Sequence, residues 1–240
     1  MLSTLKSEYQ ANRLIIWGLV ALMTLSYSIY ITLPETLVHS LGEEDGFFEY
    51  LTALFFLFAS IVFLGLAKKQ RNIFFLGLGL LMFLGCGEEI SWGQRIFGWG
   101  TPEGLRQHNV QGETTLHNIE ILNSHDFDNT LKTGWRKWIT VDFLYKFFCI
   151  AFGVLLPLAV MALGFLKSLA SKLKLPVPAL AVGVFFLANW MVFKIINGYL
   201  LPPGHDVQYY DTVGEISECL SAAVFFAIAF AFRKNQPSAA

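Results

Sequence analysis

Residues 73–95 read IFFLGLGLLMFLGCGEEISWGQR, and every position from Ile73 to Cys86 is apolar or glycine. A helix that crosses a membrane needs ~20 mostly apolar residues, which this run approaches. The rest of the chain is similar: 55% of its 240 residues are hydrophobic, 23 are phenylalanine, and the mean hydropathy is +0.53. Such a composition is too apolar for a soluble domain of this length and indicates a polytopic membrane protein.

Six stretches of the sequence are apolar enough to cross a membrane. They are residues 14–33, 47–67, 73–92, 143–166, 178–201 and 212–232. The first is too long for the apolar part of a signal peptide and has no small-residue cleavage site after it, so we interpret it as a retained anchor. We predict an all-α helical bundle of about six transmembrane helices that forms a single membrane domain over residues 1–240.

The basic residues indicate how these helices are oriented. With six spans and a cytoplasmic N-terminus, ten of the 17 lysines and arginines fall on the cytoplasmic side, where basic loops are favoured. All but one of the 18 acidic residues then fall outside or at outer helix ends. We predict cytoplasmic N- and C-termini and a long outer loop at residues 94–142.

Carboxylates recur at the predicted outer ends of three spans. They are Asp45 and Glu49 on the second, Glu88 and Glu89 on the third, and Asp211, Glu215 and Glu218 on the sixth. Along a continuous third helix, Ser91 and Arg95 share the face of Glu88. A charge at the centre of a bilayer costs on the order of 3 kcal/mol, and neighbouring carboxylates repel, so protons, cations or metal ions are needed. We predict that the acids converge, with Glu88 close to Glu215.

Some of these acids have a simpler interpretation. Thr212 and Glu215 have the spacing of a capping box at the start of the sixth helix, and Asp45 is a candidate N-cap of the second. Acids at a helix N-terminus also suit the helix dipole. This interpretation does not apply to Glu88 and Glu89, because they lie at a predicted helix C-terminus, where the dipole disfavours acids. We therefore favour a functional cluster.

The long loop adds further polar groups. Residues 109–118 read NVQGETTLHN, which includes His117 and Asn118, and His205 lies in PPGHD just before the sixth span. Thr101 followed by Pro102 is typical of a helix start. Because the loop has no continuous hydrophobic core, we expect short interfacial helices over the outer helix ends, with both histidines near the carboxylates.

Three segments together resemble an uncharacterised family of bacterial polytopic membrane proteins. They are EDGFFEYLTALFF (44–56), GEEISWGQRIFGWGTPE (87–103) and NVQGETTLHN (109–118). The resemblance implies a multi-pass protein of the bacterial inner (plasma) membrane and supplies no activity. More distantly, an acidic cluster with histidines is similar to the alkaline ceramidase superfamily of metal-dependent lipid hydrolases. This chain lacks the HxxxH on a late helix and has six predicted spans instead of seven.

These patterns favour a membrane-embedded, metal-dependent hydrolase or transferase that acts on a lipid or lipid-linked head group at the outer leaflet. Carboxylates with histidine suit Zn, Mn or Fe, whereas carboxylates alone suit Ca or Mg. A bound metal ion balances the charge and activates a water. The predicted metal ligands are Glu49, Glu88, His117, Glu215 and Glu218. The predicted catalytic residues are Glu89 or His205 as base and Ser91 as a candidate nucleophile, and the predicted substrate-binding residues are Arg95, Lys194 and Asn118.

Two other classes of function stay open. Acids within a membrane are typical of proton- or cation-coupled transporters, although the sequence shows no repeated half with broken helices. An outer acidic site also suits a sensor or assembly factor that binds Ca²⁺ or a partner. The predicted partner is membrane lipid rather than nucleic acid, because the basic residues are few and lie where membrane topology requires them. The sequence indicates no oligomeric state.

Overall fold

The computed structural model describes residues 2–43, 45–200 and 207–235, which form an all-α structure. It is 77% helical, and no strand occurs among the described residues. Five helices are long and apolar enough to cross a membrane, and a bent helix pair raises the number to six. The prediction of an all-α structure with about six helices long and apolar enough to cross a membrane is therefore confirmed.

Eleven α-helices follow one another along the described chain. They are α1 (Leu2–Thr32), α2 (Glu35–Leu41), α3 (Phe47–Gln70), α4 (Ile73–Glu89), α5 (Gln94–Phe97), α6 (Glu103–Arg106), α7 (Val141–Ile150), α8 (Leu156–Ala162), α9 (Gly164–Leu173), α10 (Leu180–Ile195) and α11 (Val207–Lys234). A π-helical turn at Ala151–Leu155 joins α7 and α8 into one long helix, and a second at Ile196–Leu200 follows α10. Short 3₁₀ turns lie at Ser91–Gly93 and Gly134–Ile139.

The long helices run up and down, so the bundle has two ends. At one end, the Lys234 ammonium near the end of α11 donates to the Ala11 carbonyl of α1 at 2.7 Å. At the same end, the Asn72 amide between α3 and α4 donates to the Lys174 carbonyl after α9 at 2.6 Å. We call this the termini end. The opposite end, which holds residues 90–140, is the loop end.

Helix α11 forms the centre of the bundle. In its most apolar stretch 67% of the residues are buried, compared with 28% for α1. The ring centroid of Phe225 lies 4.8 Å from that of Phe186 on α10 and 5.7 Å from that of Phe148 on α7. Because lipid tails are as apolar as these side chains, such contacts stabilise the bundle through close packing rather than through transfer from water.

Two glycines set the distance between α10 and the π-helical turn. A methyl group added at Gly183 would lie 1.8 Å from the carbonyl oxygen of Gly153, so only glycine fits there. Small residues at such contacts let the backbones of membrane helices touch. The contact fixes how α7 and α10 diverge towards the loop end.

The third predicted span is wrong at its outer end. Helix α4 ends at Glu89 and not at Trp92, because Ser91 and Trp92 have φ values of 45° and 54°, which an α-helix does not allow. The chain bends by 66° into the short α5. The predicted common helical face of Glu88, Ser91 and Arg95 is therefore wrong as well.

Other predicted boundaries also shift. Helix α11 begins at Val207, so Thr212 and Glu215 lie inside the helix and the capping-box interpretation is wrong. The N-cap of α3 is Gly46 rather than Asp45. The fourth predicted span breaks at Leu163, whose extended backbone separates α8 from α9. The loop contains short helical segments, as predicted.

Candidate functional site

Glu88, in the last turn of α4, anchors the loop. One carboxylate oxygen accepts a hydrogen bond from the Trp92 indole N–H at 2.8 Å. The other accepts from the backbone N–H groups of Leu116 at 2.7 Å and His117 at 3.0 Å, and lies 3.1 Å from Nδ1 of His117. Three of these contacts are to one carboxylate oxygen and one is to the other, so the loop and Trp92 together hold the side chain in place. They also offset the unfavourable dipole at a helix C-terminus.

Glu113 of the loop contacts three of the predicted site residues. It accepts hydrogen bonds from the Ser91 hydroxyl at 3.1 Å and the Asn118 amide at 3.3 Å, and it forms an ion pair with Arg95. Arg95 also pairs with Asp45 at 2.9 Å, which connects the loop to the start of α3. The described contacts of Ser91 and Arg95 therefore hold the loop against the bundle, whereas those of Asn118 lie within the loop.

The second half of the loop is cross-linked in a similar way. The Lys132 side chain is buried, and its ammonium donates to the carbonyls of Glu120 and Asn123. An ion pair joins Arg136 to Asp126, and this hydrogen-bonded contact raises the pKa of Arg136. The loop is therefore a folded cap over one end of the bundle.

Glu89 has different surroundings from its neighbour Glu88. Its carboxylate is within electrostatic reach of the carboxylates of Glu218 and Glu215 on α11, and of Glu49 at the start of α3. The acids of three helices thus meet through Glu89. Negative charges this close repel one another, so the group needs protons or cations. We call Glu49, Glu89, Glu215 and Glu218 the carboxylate cluster.

The predicted metal ligands do not form a ready-made metal site. Within residues 2–43, 45–200 and 207–235, no group of three or more His, Cys, Asp or Glu side chains has a metal-binding arrangement. Glu49 also accepts a hydrogen bond from the Asp45 backbone N–H. His117 contacts Glu88 and lies within electrostatic reach of Glu218.

A cavity of about 510 Å³ opens beside the cluster, between α7, α10 and α11. We call it the cluster cavity. Most of its wall is apolar, with Phe143 and Phe147 from α7 and Phe186, Trp190 and Phe193 from α10. Glu218 lines this cavity, and its side chain is exposed. One carboxylate of the cluster therefore faces a space that a second molecule can enter.

Lys146 places a cation at the same cavity. It lines the wall, forms an ion pair with Asp142 one turn earlier on α7, and lies within electrostatic reach of Glu218. The Tyr145 hydroxyl is buried and has no hydrogen-bond partner of normal geometry among the described residues, although the Ser221 hydroxyl lies near it. The cavity thus offers a carboxylate, an ammonium group and a hydroxyl within apolar walls.

Asn189 braces the cavity from the side of α10. Its Oδ1 accepts a hydrogen bond from the Tyr27 hydroxyl of α1 at 2.7 Å. Its Nδ2 donates to the Ser217 carbonyl at 2.7 Å and to the Ser221 hydroxyl at 3.0 Å, both on α11. This buried network fixes α1, α10 and α11 relative to one another.

Two predicted residues lie elsewhere. Lys194 is exposed on α10, and its ammonium lies 5.6 Å from the ring centroid of Phe193, a cation–π contact. The cation beside Glu218 is Lys146, which sequence reasoning did not select, although its four-residue spacing from Asp142 signals an ion pair. His205 lies outside the described residues.

No protein-family model, curated protein or solved structure matches this chain. The resemblance of segments 44–56, 87–103 and 109–118 to a bacterial membrane protein family therefore stays a prediction. Any functional interpretation rests on the geometry of the site itself.

Proposed function

We propose that the protein is a membrane-embedded hydrolase or transferase that takes a lipid or lipid-linked head group into the cluster cavity. The observation that carries this proposal is the position of Glu218 in the wall of a mostly apolar cavity, backed by three further carboxylates. Ligand sites are typically concave, ~300–1,000 Å³ in volume, and apolar with a few polar groups. An ionisable residue within a membrane helix indicates function by default.

The cavity lining supports an orientation for the substrate. Its aromatic wall, with Phe186 and Trp190, suits an acyl or isoprenoid chain, and Lys146 suits an anionic part of the head group. Glu218 then acts as the general base that takes a proton from the attacking water or hydroxyl. Glu89 shares that proton, since adjacent carboxylates rarely ionise together. A positioned acid–base group contributes about 10²–10⁴-fold to the rate.

A divalent cation is part of the proposal. We propose Zn, Mn or Fe with ligands among Glu89, Glu215 and His117. Such an ion would replace the proton on Glu89, leave Glu218 free as the base, balance the repelling charges and activate a water. Glu88 is left out of this set, since its carboxylate already holds the loop and Trp92. Oxygen ligands alone favour Ca or Mg instead.

The proposed location is the inner membrane of a bacterium, with the termini in the cytoplasm and the cluster cavity at the outer leaflet. The termini end carries Lys172, Lys174, Arg233 and Lys234, whereas the carboxylate cluster lies at the loop end. Basic residues favour the cytoplasmic side. This orientation gives the enzyme access to lipids of the outer leaflet.

Transport across the membrane is less well supported. Residues 222–227 of α11, which follow the cavity-lining Ser221, are all apolar and mostly buried. The rings of Phe148 and Phe186 pack against Phe225 in this layer. A proton or cation pathway needs polar groups through to the other side. The packing therefore favours chemistry at one surface.

The proposal is tested by incubating the purified protein with a bacterial polar lipid extract, with Zn, Mn or Mg added in turn, and following every lipid class by mass spectrometry. We expect one class to be consumed. Glu218→Gln should lower that rate by about 10²-fold or more, whereas Glu103→Gln, an exposed loop acid, should leave it unchanged. Thermal unfolding of each variant confirms that it folds.

The results test the enzymatic activity and the bound metal ion separately. No change in any lipid class with the wild-type protein, or an equal rate in Glu218→Gln, would overturn the enzymatic proposal. Metal content of the purified proteins tests the cation: we expect a bound transition metal that is lost in Glu89→Gln and kept in Glu103→Gln. A wild-type protein that binds no metal after metal is added back refutes the cation and leaves acid–base catalysis.

A further inference from the structure

A second cavity, of about 740 Å³, lies at the termini end, far from the carboxylate cluster. We call it the terminal cavity. Its inner wall is apolar and includes Phe75 of α4, Met161 of α8, and Ile228 and Phe232 of α11. The cavity therefore combines an apolar interior with an opening near one membrane surface.

Helix α9 supplies the basic rim of this cavity. Lys167 and Ser171 on α9, with Lys174 just beyond its end, all line the cavity, and their spacing of four and three residues places them on one side. The Lys174 backbone is held in place by the Asn72 amide, which donates to its carbonyl at 2.6 Å. Two cations and a hydroxyl therefore converge on the opening.

The other side of α9 is apolar and exposed. Phe165, Leu169 and Leu173, spaced four residues apart, are 68%, 46% and 52% exposed. A helix with a basic face and an apolar face is typical of the membrane interface, where the apolar face enters the lipid. This arrangement places the opening of the terminal cavity at the level of the lipid head groups.

The rim carries more positive than negative charge within the described parts of the chain. Neither Lys167 nor Lys174 forms an ion pair within the described parts of the chain. Glu8 also lines the cavity, and its carboxylate accepts a hydrogen bond from the Ala181 N–H in the first turn of α10 at 3.1 Å. Two lysines against one carboxylate give the described lining of the cavity an excess of positive charge, which suits an anion.

We infer that the terminal cavity binds an anionic phospholipid, with its phosphate between Lys167 and Lys174 and an acyl chain against Phe75 and Phe232. Basic pockets between membrane helices recognise anionic head groups. The apolar interior gives an acyl chain contacts that a soluble phosphate cannot make. The site shares no residue with the cluster cavity, so it stands whether or not the protein is an enzyme.

Native mass spectrometry of the full chain in mixed micelles tests the inference. Phosphatidylglycerol and phosphatidylcholine with the same acyl chains serve as probes. We expect the wild-type protein to prefer phosphatidylglycerol, and the Lys167→Gln/Lys174→Gln variant to bind it about thirtyfold more weakly, since each lysine near an anionic head group contributes roughly a factor of five. Lys172→Gln, on the same helix but outside the cavity lining, is the matched control.

A second variant tests the apolar interior. Met161→Trp should narrow it while keeping both lysines, and we expect this variant to bind phosphatidylglycerol more weakly as well. Equal binding of the two lipids by the wild-type protein, or an equal loss in Lys172→Gln, would overturn the inference. Displacement of the lipid by inorganic phosphate would also overturn it in favour of a soluble anion. The single variants Lys167→Gln and Lys174→Gln replace the double variant if that variant does not fold.

Discussion

Glu88→Gln should loosen the loop, whereas the same change at Glu89 should not. The two residues are adjacent and chemically identical, but Glu88 accepts hydrogen bonds from the loop, whereas Glu89 faces the other carboxylates. Glutamine keeps the size of the side chain, removes the charge and leaves a single acceptor oxygen. Comparison of the two variants therefore distinguishes a carboxylate that holds the loop from a carboxylate in the candidate site.

The magnitude follows from the contacts of Glu88. If the glutamine oxygen faces the N–H groups of Leu116 and His117, its amide nitrogen faces the Trp92 indole N–H, which loses its acceptor. A hydrogen bond to a charged group contributes about 1.5–3 kcal/mol, and the bonds that remain become neutral and weaker. Local opening of the loop should therefore become about ten- to a hundredfold more frequent.

Glu89→Gln should behave differently. The change removes one of four carboxylates that repel one another, and Glu89 makes no described hydrogen bond to the loop. For proteins compared without bound metal, we expect unchanged loop opening and an equal or higher unfolding temperature. This variant is the matched control for the loss of a charge at the end of α4.

Hydrogen–deuterium exchange in detergent micelles, followed on peptides that cover residues 113–119, measures the opening directly. We expect faster exchange in Glu88→Gln and the wild-type rate in Glu89→Gln. Equal exchange in Glu88→Gln and the wild-type protein would refute the role of Glu88 as the loop anchor. Equally fast exchange in both variants would show that the loop responds to charge alone.

Two further changes test the packing of the bundle. Gly183→Ala should force α10 away from the Gly153 carbonyl and cost about 1–3 kcal/mol, which lowers the unfolding temperature by about 3–10 °C. Gly77→Ala, with open space around it, is the control. Equal unfolding temperatures for the two variants would contradict the clash. Asn189→Leu should remove the hydrogen bonds to Tyr27 and Ser221 and cost about 1–2 kcal/mol, because such bonds in membranes average ~0.6 kcal/mol each. An unfolding temperature unchanged by this second substitution would show that the network does not brace the helices.

The sequence by itself determined the class of the protein and the general position of its acids. The length of an apolar run is a local property, so the run at 73–86 and its counterparts predicted a helical membrane bundle, and the structure agrees. The acids at the ends of these runs predicted a cluster, because a carboxylate within an apolar segment is energetically costly and indicates a function. Local sequence patterns suffice for these two predictions because helix formation and membrane burial depend on neighbouring residues.

Only the tertiary structure decided which acids meet and what the loop contacts. Helical spacing predicts a shared face only while the helix continues, and α4 ends at Glu89, so the grouping with Ser91 failed. The partners that matter lie far apart in the chain, 22 residues from Ser91 to Glu113 and 162 from Tyr27 to Asn189. Such contacts depend on how whole helices and the loop pack against one another, and no periodicity within a single segment encodes that packing.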